Sequence, residues 1–108
     1  MLSGVRIVEL EALGPAPFAS MLLADLGADV ITVHRKAGPP TLETAQGKLL
    51  DRGKRSIALD LKSEAGIDVV KRLAQDADVF VQNFRPGAID GMGLGEPVIR
   101  AINPKIIY

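Results

Sequence analysis

The fold of this chain is decided by residues 5–34, which read VRIVELEALGPAPFASMLLADLGADVITVH. The first part, Val5–Leu10, is an apolar run with two interspersed charges, which predicts a short strand with both faces covered. Gly14 and Pro15 interrupt that pattern. Pro17 then opens a predicted helix, because its missing N–H would have no partner in a first helical turn anyway.

The predicted helix carries an apolar stripe and stops at a glycine. Its apolar side chains recur at i, i+3, i+4 and i+8, which defines one helical face, typical of packing against a core. Gly27 is placed as the C-terminal stop, and the β-branched run Asp29–His34 predicts a second strand. A strand, a helix and a strand within about thirty residues form a right-handed βαβ unit of a parallel sheet. The stripe consists of Phe18, Met21, Leu22 and Leu26.

The rest of the chain continues this alternation. Ser56–Leu61 alternates apolar and polar positions, which predicts a strand with one wetter face. Ser63 is a natural N-cap for the next helix, and Glu64 is placed to complement the helix dipole. The predicted fold class is therefore α/β: a Rossmann-like, mostly parallel sheet flanked by helices and missing its continuation. Further predicted elements are a helix with the stripe Ile67, Val70, Leu73 and Ala74, strands at Asp78–Gln82 and Lys105–Tyr108, a helical turn at 88–92 and a short helix at Glu96–Ile102.

Residues 35–54 form a long polar loop rich in Gly, Pro and cations. A loop of this length is uncommon in a compact domain and is usually functional or mobile. Arg35, Arg52, Lys54 and the adjacent Arg55 would suit a phosphorylated nucleotide, since arginine makes paired hydrogen bonds to phosphate. The same cations could instead form a solvated charged surface with no ligand, and the sequence leaves both interpretations open.

Other candidate ligand-binding residues fall where the strands end, which is where open α/β sheets bind ligands. The turn Gly14–Pro17 leads into a helix N-terminus that could hold a phosphate or carbonyl oxygen, or could only pack helix on strand. Asn83, Phe84 and Arg85 combine an amide, a ring and a cation that could grip an adenine, and the segment could equally be a simple turn. The single histidine, His34, has no carboxylate evident nearby and is interpreted as structural or exposed.

The composition argues against several classes of function. The chain has 108 residues, with 13 Lys plus Arg and 13 Asp plus Glu, and this zero balance argues against general nucleic-acid binding. It has no cysteine and no metal-ligand spacing, so neither a thiolate nucleophile nor a metal site is expected. No apolar run approaches the roughly 20 residues of a membrane span, and no signal peptide is visible at Met1. We expect a single globular domain that is not secreted.

Three segments carry a recognisable set of motifs in order along the chain. The first is Val8–Val30, with its GPAPFASMLLADLGADV run, and the second is Gly53–Lys62, which reads GKRSIALDLK. The third is Asp78–Gly87, which reads DVFVQNFRPG and is followed by Gly93-Leu94 and Asn103–Tyr108. Together they resemble the opening of the α-methylacyl-CoA racemase and family III CoA-transferase (CaiB/BaiF-type) superfamily. The similarity covers essentially all 108 residues.

The resemblance implies a Rossmann-like large domain, of which residues 1–108 would be the N-terminal part, and interlocked homodimers among full-length relatives. It implies an acyl-CoA thioester as substrate, with coenzyme A as part of that substrate and no covalently held cofactor. It also implies a cytoplasmic location in bacteria, or a mitochondrial or peroxisomal one in eukaryotes. Gly91 departs from the pattern, since many relatives carry an arginine there, and this puts one phosphate contact in doubt. The implied coenzyme A contacts are Arg35, Leu59, Lys62, Asn83, Phe84 and Arg85.

By the same resemblance, the family's catalytic residues are expected beyond Tyr108, and none is assigned within the chain. Racemases remove and return the proton α to the thioester carbonyl with a His and an Asp, because the thioester makes that proton acidic. Transferases use an Asp that forms a mixed anhydride. The Gly14–Pro17 motif and Arg35 favour the racemase branch, acting on 2-methylacyl-CoA, with coenzyme A transfer between carboxylic acids as the alternative. A stand-alone coenzyme-A- or nucleotide-binding module, or an inactive fragment, is the alternative of another class. The isolated 108 residues are expected to have no turnover.

Overall fold

The computed structural model of the chain describes residues 1–12, 14–35 and 50–108. Most of the long loop that the sequence predicts, including its glycines at 38 and 47, lies outside these residues. No helix within the described ranges has the length and apolar character needed to cross a membrane.

A parallel sheet is the centre of the described structure. Its strand order is β3-β2-β1-β4, so the chain adds two strands on one side of β1 and then returns to the other side. Ile7 of β1 lies opposite Val30 of β2 and Val79 of β4. The α/β fold with a parallel sheet and flanking helices is therefore confirmed. The strands are β1 (Arg6–Leu10), β2 (Asp29–His34), β3 (Arg55–Ala58) and β4 (Val79–Val81), and the helices are α1 (Pro15–Asp25), α2 (Glu64–Gln75), α3 (Ala88–Gly91) and α4 (Glu96–Ile102).

Four of the five predicted strands are shorter than expected; β1 lacks only Val5, and β4 spans Val79–Val81 instead of Asp78–Gln82. β3 ends at Ala58. The Leu59 amide donates one more hydrogen bond to the His34 carbonyl oxygen at 2.8 Å, and the chain then turns towards the cap of α2. The predicted last strand appears as a single parallel bridge between Ile107 and Val79, on the outer side of β4. β3 and this last segment both run parallel to their neighbouring strands, as the sequence predicts.

One face of the sheet carries the larger hydrophobic core. Val8 and Leu10 of β1 meet Phe80 of β4 and the apolar stripe of α2, as the periodicity predicts. Fully burying a side chain of this size stabilises the fold by about 1.5–3 kcal/mol. The buried members of this core are Val8, Leu10, Val33, Val70, Ala74, Ala77, Phe80, Ile89, Leu94, Ile99 and Ile106.

Helix α2 begins and ends on local hydrogen bonds. The Ser63 hydroxyl accepts from the Gly66 amide at 3.1 Å, which confirms the predicted N-cap. Beyond the C-terminus of α2, the side-chain amide of Asn103 donates to the carbonyl oxygens of Ala74 at 3.0 Å and Ala77 at 2.8 Å. These bonds join the end of α4 to the end of α2 and add donors to carbonyl groups at and just beyond the helix terminus.

The sequence prediction for helix α1 is wrong in two respects. The helix begins at Pro15 and not at Pro17, and it buries Ala16, Pro17, Ser20 and Met21. Three of the four stripe residues face outward: Phe18 is 52% exposed, and Leu22 and Leu26 are each 44% exposed. Ala16 and Ser20 face inward with Met21, and small side chains allow a helix to lie close to a sheet, so the other three stripe residues are left on the outer surface.

Candidate functional site

The candidate site lies at the carboxyl edge of the sheet, where the connections after all four strands emerge. Because β2 and β4 flank β1, the chain reverses its direction of strand addition between β1 and β4. Ligands of open α/β sheets bind in the crevice at such a switch point. The segments that border it are the Gly14 turn after β1 and Asn83 after β4.

Arg35 and Phe84 are brought together at this edge from opposite sides of β1. The Arg35 guanidinium carbon lies 5.8 Å from the centroid of the Phe84 ring, within the range of a cation–π contact. The Arg35 amide donates to a Glu11 carboxylate oxygen at 2.9 Å, and the Phe84 amide donates to the Gln82 side chain at 2.8 Å. Both backbones are therefore held in place, and the Arg35 side chain is exposed.

Asn83 lies beside the turn that opens helix α1. A Cβ placed on Gly14 would meet the Asn83 side-chain nitrogen at 3.9 Å, so the turn and the end of β4 are in van der Waals range. Gly14 has φ +85°, a left-handed conformation that glycine adopts without strain. Pro15 and Pro17 remove two of the N–H groups that a helix N-terminus normally offers, so this turn is a weak anion site by itself.

Leu59 and Lys62 follow β3 at the same edge of the sheet. Leu59 is partly buried against the larger core and is bonded through its amide to His34. Lys62 is exposed, its amide donates to an Asp60 carboxylate oxygen at 3.0 Å, and its side chain borders an open cleft of about 530 Å³ between α2 and α3. The residues that line this cleft are Leu61, Lys62, Ser63, Glu64, Ile67, Asp68, Lys71, Gly91 and Met92.

Arg85 is exposed in the turn before α3, where its carbonyl oxygen accepts from the Ala88 amide at 3.0 Å. Within the described residues, the side chains of Arg85, Lys62 and Lys71 make no hydrogen bond or ion pair. Of the six predicted contacts, the structure joins Arg35 and Phe84 directly; Asn83 precedes Phe84 in the chain, and Leu59 is bonded to His34, the residue before Arg35. It does not join Lys62 or Arg85 to that pair.

His34 is not isolated from carboxylates, so that part of the sequence interpretation is wrong. Its Nδ1 atom lies 3.5 Å from a Glu11 oxygen, and its Nε2 atom lies 3.8 Å from an Asp51 oxygen. These partners are far from His34 in the sequence, and only the ends of β1 and of the long loop bring them close. No group of three His, Cys, Asp or Glu residues in the described part of the chain could hold a metal ion.

Two further cations, Arg52 at the described end of the loop and Arg55 at the start of β3, are paired within the protein. Arg52 binds Asp25 at 2.7 Å and Arg55 binds Asp29 at 2.6 Å, both on the surface. The Arg52 hydrogen bond lowers the pKa of the Asp25 carboxyl and raises the pKa of the Arg52 guanidinium. Arg52 therefore joins the end of the loop to α1, Arg55 joins β3 to β2, and each guanidinium group already has a carboxylate partner.

Lys54 forms a buried ion pair that the sequence analysis did not anticipate. Its ammonium group lies 2.9 Å from Glu9 Oε1 and 3.2 Å from the Pro17 carbonyl oxygen, and both charged side chains are 1% exposed. The Thr32 hydroxyl donates to the same Glu9 oxygen at 2.8 Å. A signal was present, because Glu9 stands between two apolar residues of a strand that is covered on both faces.

The parallel sheet, its flanking helices and its switch point define the class: an open α/β protein of the Rossmann-like type. The CoA-transferase family III model matches residues 2–108. The chain belongs to CoA-transferase family III.

Individual relatives include both racemases and transferases. The chain is 44% identical over 108 residues to the α-methylacyl-CoA racemase of Mus musculus, covering 100% of this chain and 27% of the racemase. It is 42% identical over 123 residues to the succinate–glutarate CoA-transferase of Agrobacterium fabrum, covering 99% of this chain and 31% of that enzyme. The solved structure of Rv3272 from M. tuberculosis superposes with a TM-score of 0.90 at 36% identity, covering 99% of this chain and 30% of that one. The chain thus spans about a third or less of the length of these relatives.

Proposed function

We propose that residues 1–108 are the N-terminal part of a coenzyme-A-binding Rossmann-like domain in an enzyme that acts on acyl-CoA thioesters. The observation that carries this proposal is the Arg35–Phe84 contact at the switch point, with Asn83 beside it. An aromatic ring and an amide suit an adenine, and an exposed guanidinium suits the phosphate groups of the same nucleotide. The names of the relatives support coenzyme A as that nucleotide.

Cations at this edge that form no ion pair with another described residue support the same ligand. Arg35, Lys62 and Arg85 are the contacts that we propose for the phosphate groups, and Leu59 would contact the apolar face of the adenine. Gly91 supplies no cation, and Lys71 lines the same cleft. We therefore add Lys71 as a phosphate contact in place of the arginine that many relatives carry at the position of Gly91.

The reaction that we propose is epimerisation of 2-methylacyl-CoA thioesters, by removal and return of the α-proton. The Gly14–Pro17 motif and the position of Arg35 support this choice. Transfer of coenzyme A between carboxylic acids is the second candidate, because a named transferase is 42% identical to the chain and a named racemase is 44% identical. The interlocked homodimer and the cellular location stay predictions from the resemblance.

A calorimetric titration of the chain with coenzyme A tests the binding proposal. We expect binding, and we expect Arg35→Ala to weaken it by about 1–3 kcal/mol, because a charge-assisted contact is lost. Arg55→Ala is the matched control, since Arg55 is equally charged and exposed but bound to Asp29. Equal weakening by both substitutions, or no binding by the chain and by a longer protein that contains it, would refute the proposed site.

A second assay separates the two candidate reactions. The protein that contains this chain at its N-terminus would be incubated with a 2-methylacyl-CoA in deuterated water, and separately with that thioester and an acceptor carboxylate. Deuterium incorporation at the α-carbon without an acceptor indicates a racemase. Appearance of the acceptor's coenzyme A thioester indicates a transferase.

A further inference from the structure

The buried contact between Glu9 and Lys54 joins four separate elements at the base of the candidate site. Glu9 lies on β1, Thr32 on β2, Pro17 in the first turn of α1, and Lys54 directly before β3. One carboxylate oxygen of Glu9 accepts from both Thr32 and Lys54, and the Lys54 ammonium also donates to the Pro17 carbonyl oxygen. The α1 turn that borders the switch point is thereby tied to the sheet through a single lysine.

This arrangement is unfavourable if stability is its only purpose. Removing two charges from water costs more than their attraction returns unless every polar atom is satisfied, and apolar side chains of similar volume often do as well. Here the second Glu9 oxygen is buried and has no hydrogen-bond partner among the described residues. This unsatisfied oxygen adds to the desolvation cost of the pair. The position that the pair imposes on its neighbours therefore explains it better than its contribution to the free energy of unfolding.

The geometry matters because both ends of the long loop are bound by carboxylates at the end of β1. Glu11 accepts from the Arg35 amide where the loop leaves β2, and Glu9 binds Lys54 where the loop returns to the sheet. The two carboxylates are two residues apart, at the end of β1 that faces the switch point. A displacement of Lys54 would break its hydrogen bond to the Pro17 carbonyl oxygen, in the helix turn whose N-terminal glycine, Gly14, lies next to Asn83.

We propose that Lys54 and Glu9 are positioning residues for the nucleotide site: their buried ion pair holds the Gly14–Pro17 turn at the distance from Asn83 that the ligand requires. The proposal rests on the proposed function, since it concerns the same edge of the sheet. Neither residue contacts the ligand. Their effect on binding is exerted through the Pro17 carbonyl oxygen.

The test compares Lys54→Met with the double substitution Glu9→Gln/Lys54→Met and with the control Arg55→Met. Lys54→Met leaves a buried carboxylate alone, so its melting temperature should fall sharply. The double substitution removes that lone charge and should recover most of the melting temperature. If the pair positions the site, coenzyme A binding should stay at least tenfold weaker in the double variant, because nothing holds the Pro17 carbonyl oxygen. Arg55→Met should change binding less than twofold.

A double variant that recovers both the melting temperature and the affinity would overturn the proposal, because the pair would then be structural only. Backbone amide chemical shifts provide a second measurement, which does not depend on coenzyme A. Gly14, Ala16 and Asn83 should shift in the double variant and not in Arg55→Met. The unsubstituted protein could fail to bind coenzyme A while these shifts still appear in the double variant. That result would support the positioning role and refute coenzyme A as the ligand. If the shifts do not appear, the positioning role itself is refuted.

Discussion

The aromatic rings of Phe80 and Tyr108 stack almost parallel, with their centroids 5.3 Å apart and an angle of 16° between their planes. Phe80 is at the centre of β4, whereas Tyr108 is 28 positions further along the chain. The Tyr108 hydroxyl donates to the Leu94 carbonyl oxygen at 3.0 Å. This contact attaches the segment after α4 to the core, and it makes Tyr108 a reporter of the folded state.

Tyr108 should ionise at a higher pH in the folded chain than in the unfolded one. Burial raises the pKa of its phenol, and the negative charges of Asp90 and Glu96 raise the pKa further. Below about pH 10, the value of a free tyrosine, the phenol is protonated in both states and stability does not depend on it. Above that pH the unfolded chain ionises first, so stability falls as the pH rises towards the folded pKa.

Absorption of the tyrosinate ion checks this directly, because the chain has one tyrosine and no tryptophan. The titration would be recorded with and without concentrated urea. Coincident curves would contradict the prediction.

Gly66→Ala should destabilise the chain strongly, whereas Gly91→Ala should not. A methyl group on Gly66 would overlap the Asp60 carbonyl oxygen, which is backbone and cannot rotate away. We expect a loss of about 1–3 kcal/mol in the free energy of unfolding, as for other overpacked positions. A methyl group on Gly91 meets nothing within 4 Å, so we expect a gain of about 0.4–1 kcal/mol from the stiffer unfolded chain. Urea denaturation measures both, and equal effects would contradict the predicted contrast.

Acid should weaken the surface contact between Arg52 and Asp25. The Asp25 pKa is lowered in the folded chain, chiefly by the hydrogen bond from Arg52 and also by its charge. The contribution to stability is therefore present above the ordinary carboxyl value of 3.8 and is lost as the pH falls through the lower folded value. The melting temperature of Asp25→Asn should depend less on pH in this acid range. Asp68→Asn, on the exposed side of α2, is the control and should keep the dependence of the unsubstituted chain.

Asn103→Asp should be more harmful than Asn103→Ala. The alanine variant loses three hydrogen bonds, to the carbonyl oxygens of Ala74, Gln75 and Ala77 around the end of α2, and should be destabilised by about 1–3 kcal/mol. The aspartate variant has a similar shape but places negative oxygens against those carbonyl groups. Thermal melts at neutral pH should rank the aspartate variant lowest, and acidification should narrow the difference. The reverse ranking would show that the side chain does not cap α2.

Features set by neighbouring residues could be predicted from the sequence. The Ser63 cap, the stripe of α2 and the order of strands and helices all depend on signals within a few residues of one another. The positions of Arg35 and Phe84 at one edge follow as well, because the carboxyl ends of parallel strands share an edge. Their direct contact across β1 does not follow, since it depends on which strands are adjacent.

Features set by tertiary packing could not be predicted in this way. The stripe of α1 is periodic in the sequence, but whether Phe18 or Ser20 faces the sheet depends on how closely the helix approaches it. The partners of His34 are a residue after β1 and a residue at the end of the loop, and no local pattern relates them. The burial of Lys54 requires that Glu9 be covered by α1, which only the assembled layers reveal.

The central place of β1 in the sheet has a consequence for the order of folding. Its contact with β2 joins residues 23 apart, as for Glu9 and Thr32, whereas its contact with β4 joins residues 72 apart, as for Arg6 and Asp78. The longer closure costs about 1 kcal/mol more in chain entropy, and non-local pairs of this kind form slowly. We therefore expect β1, α1 and β2 to assemble first and β4 to join them in the rate-limiting step. Asn83 and Phe84 directly follow β4, so we expect the proposed nucleotide site to form only when folding is nearly complete.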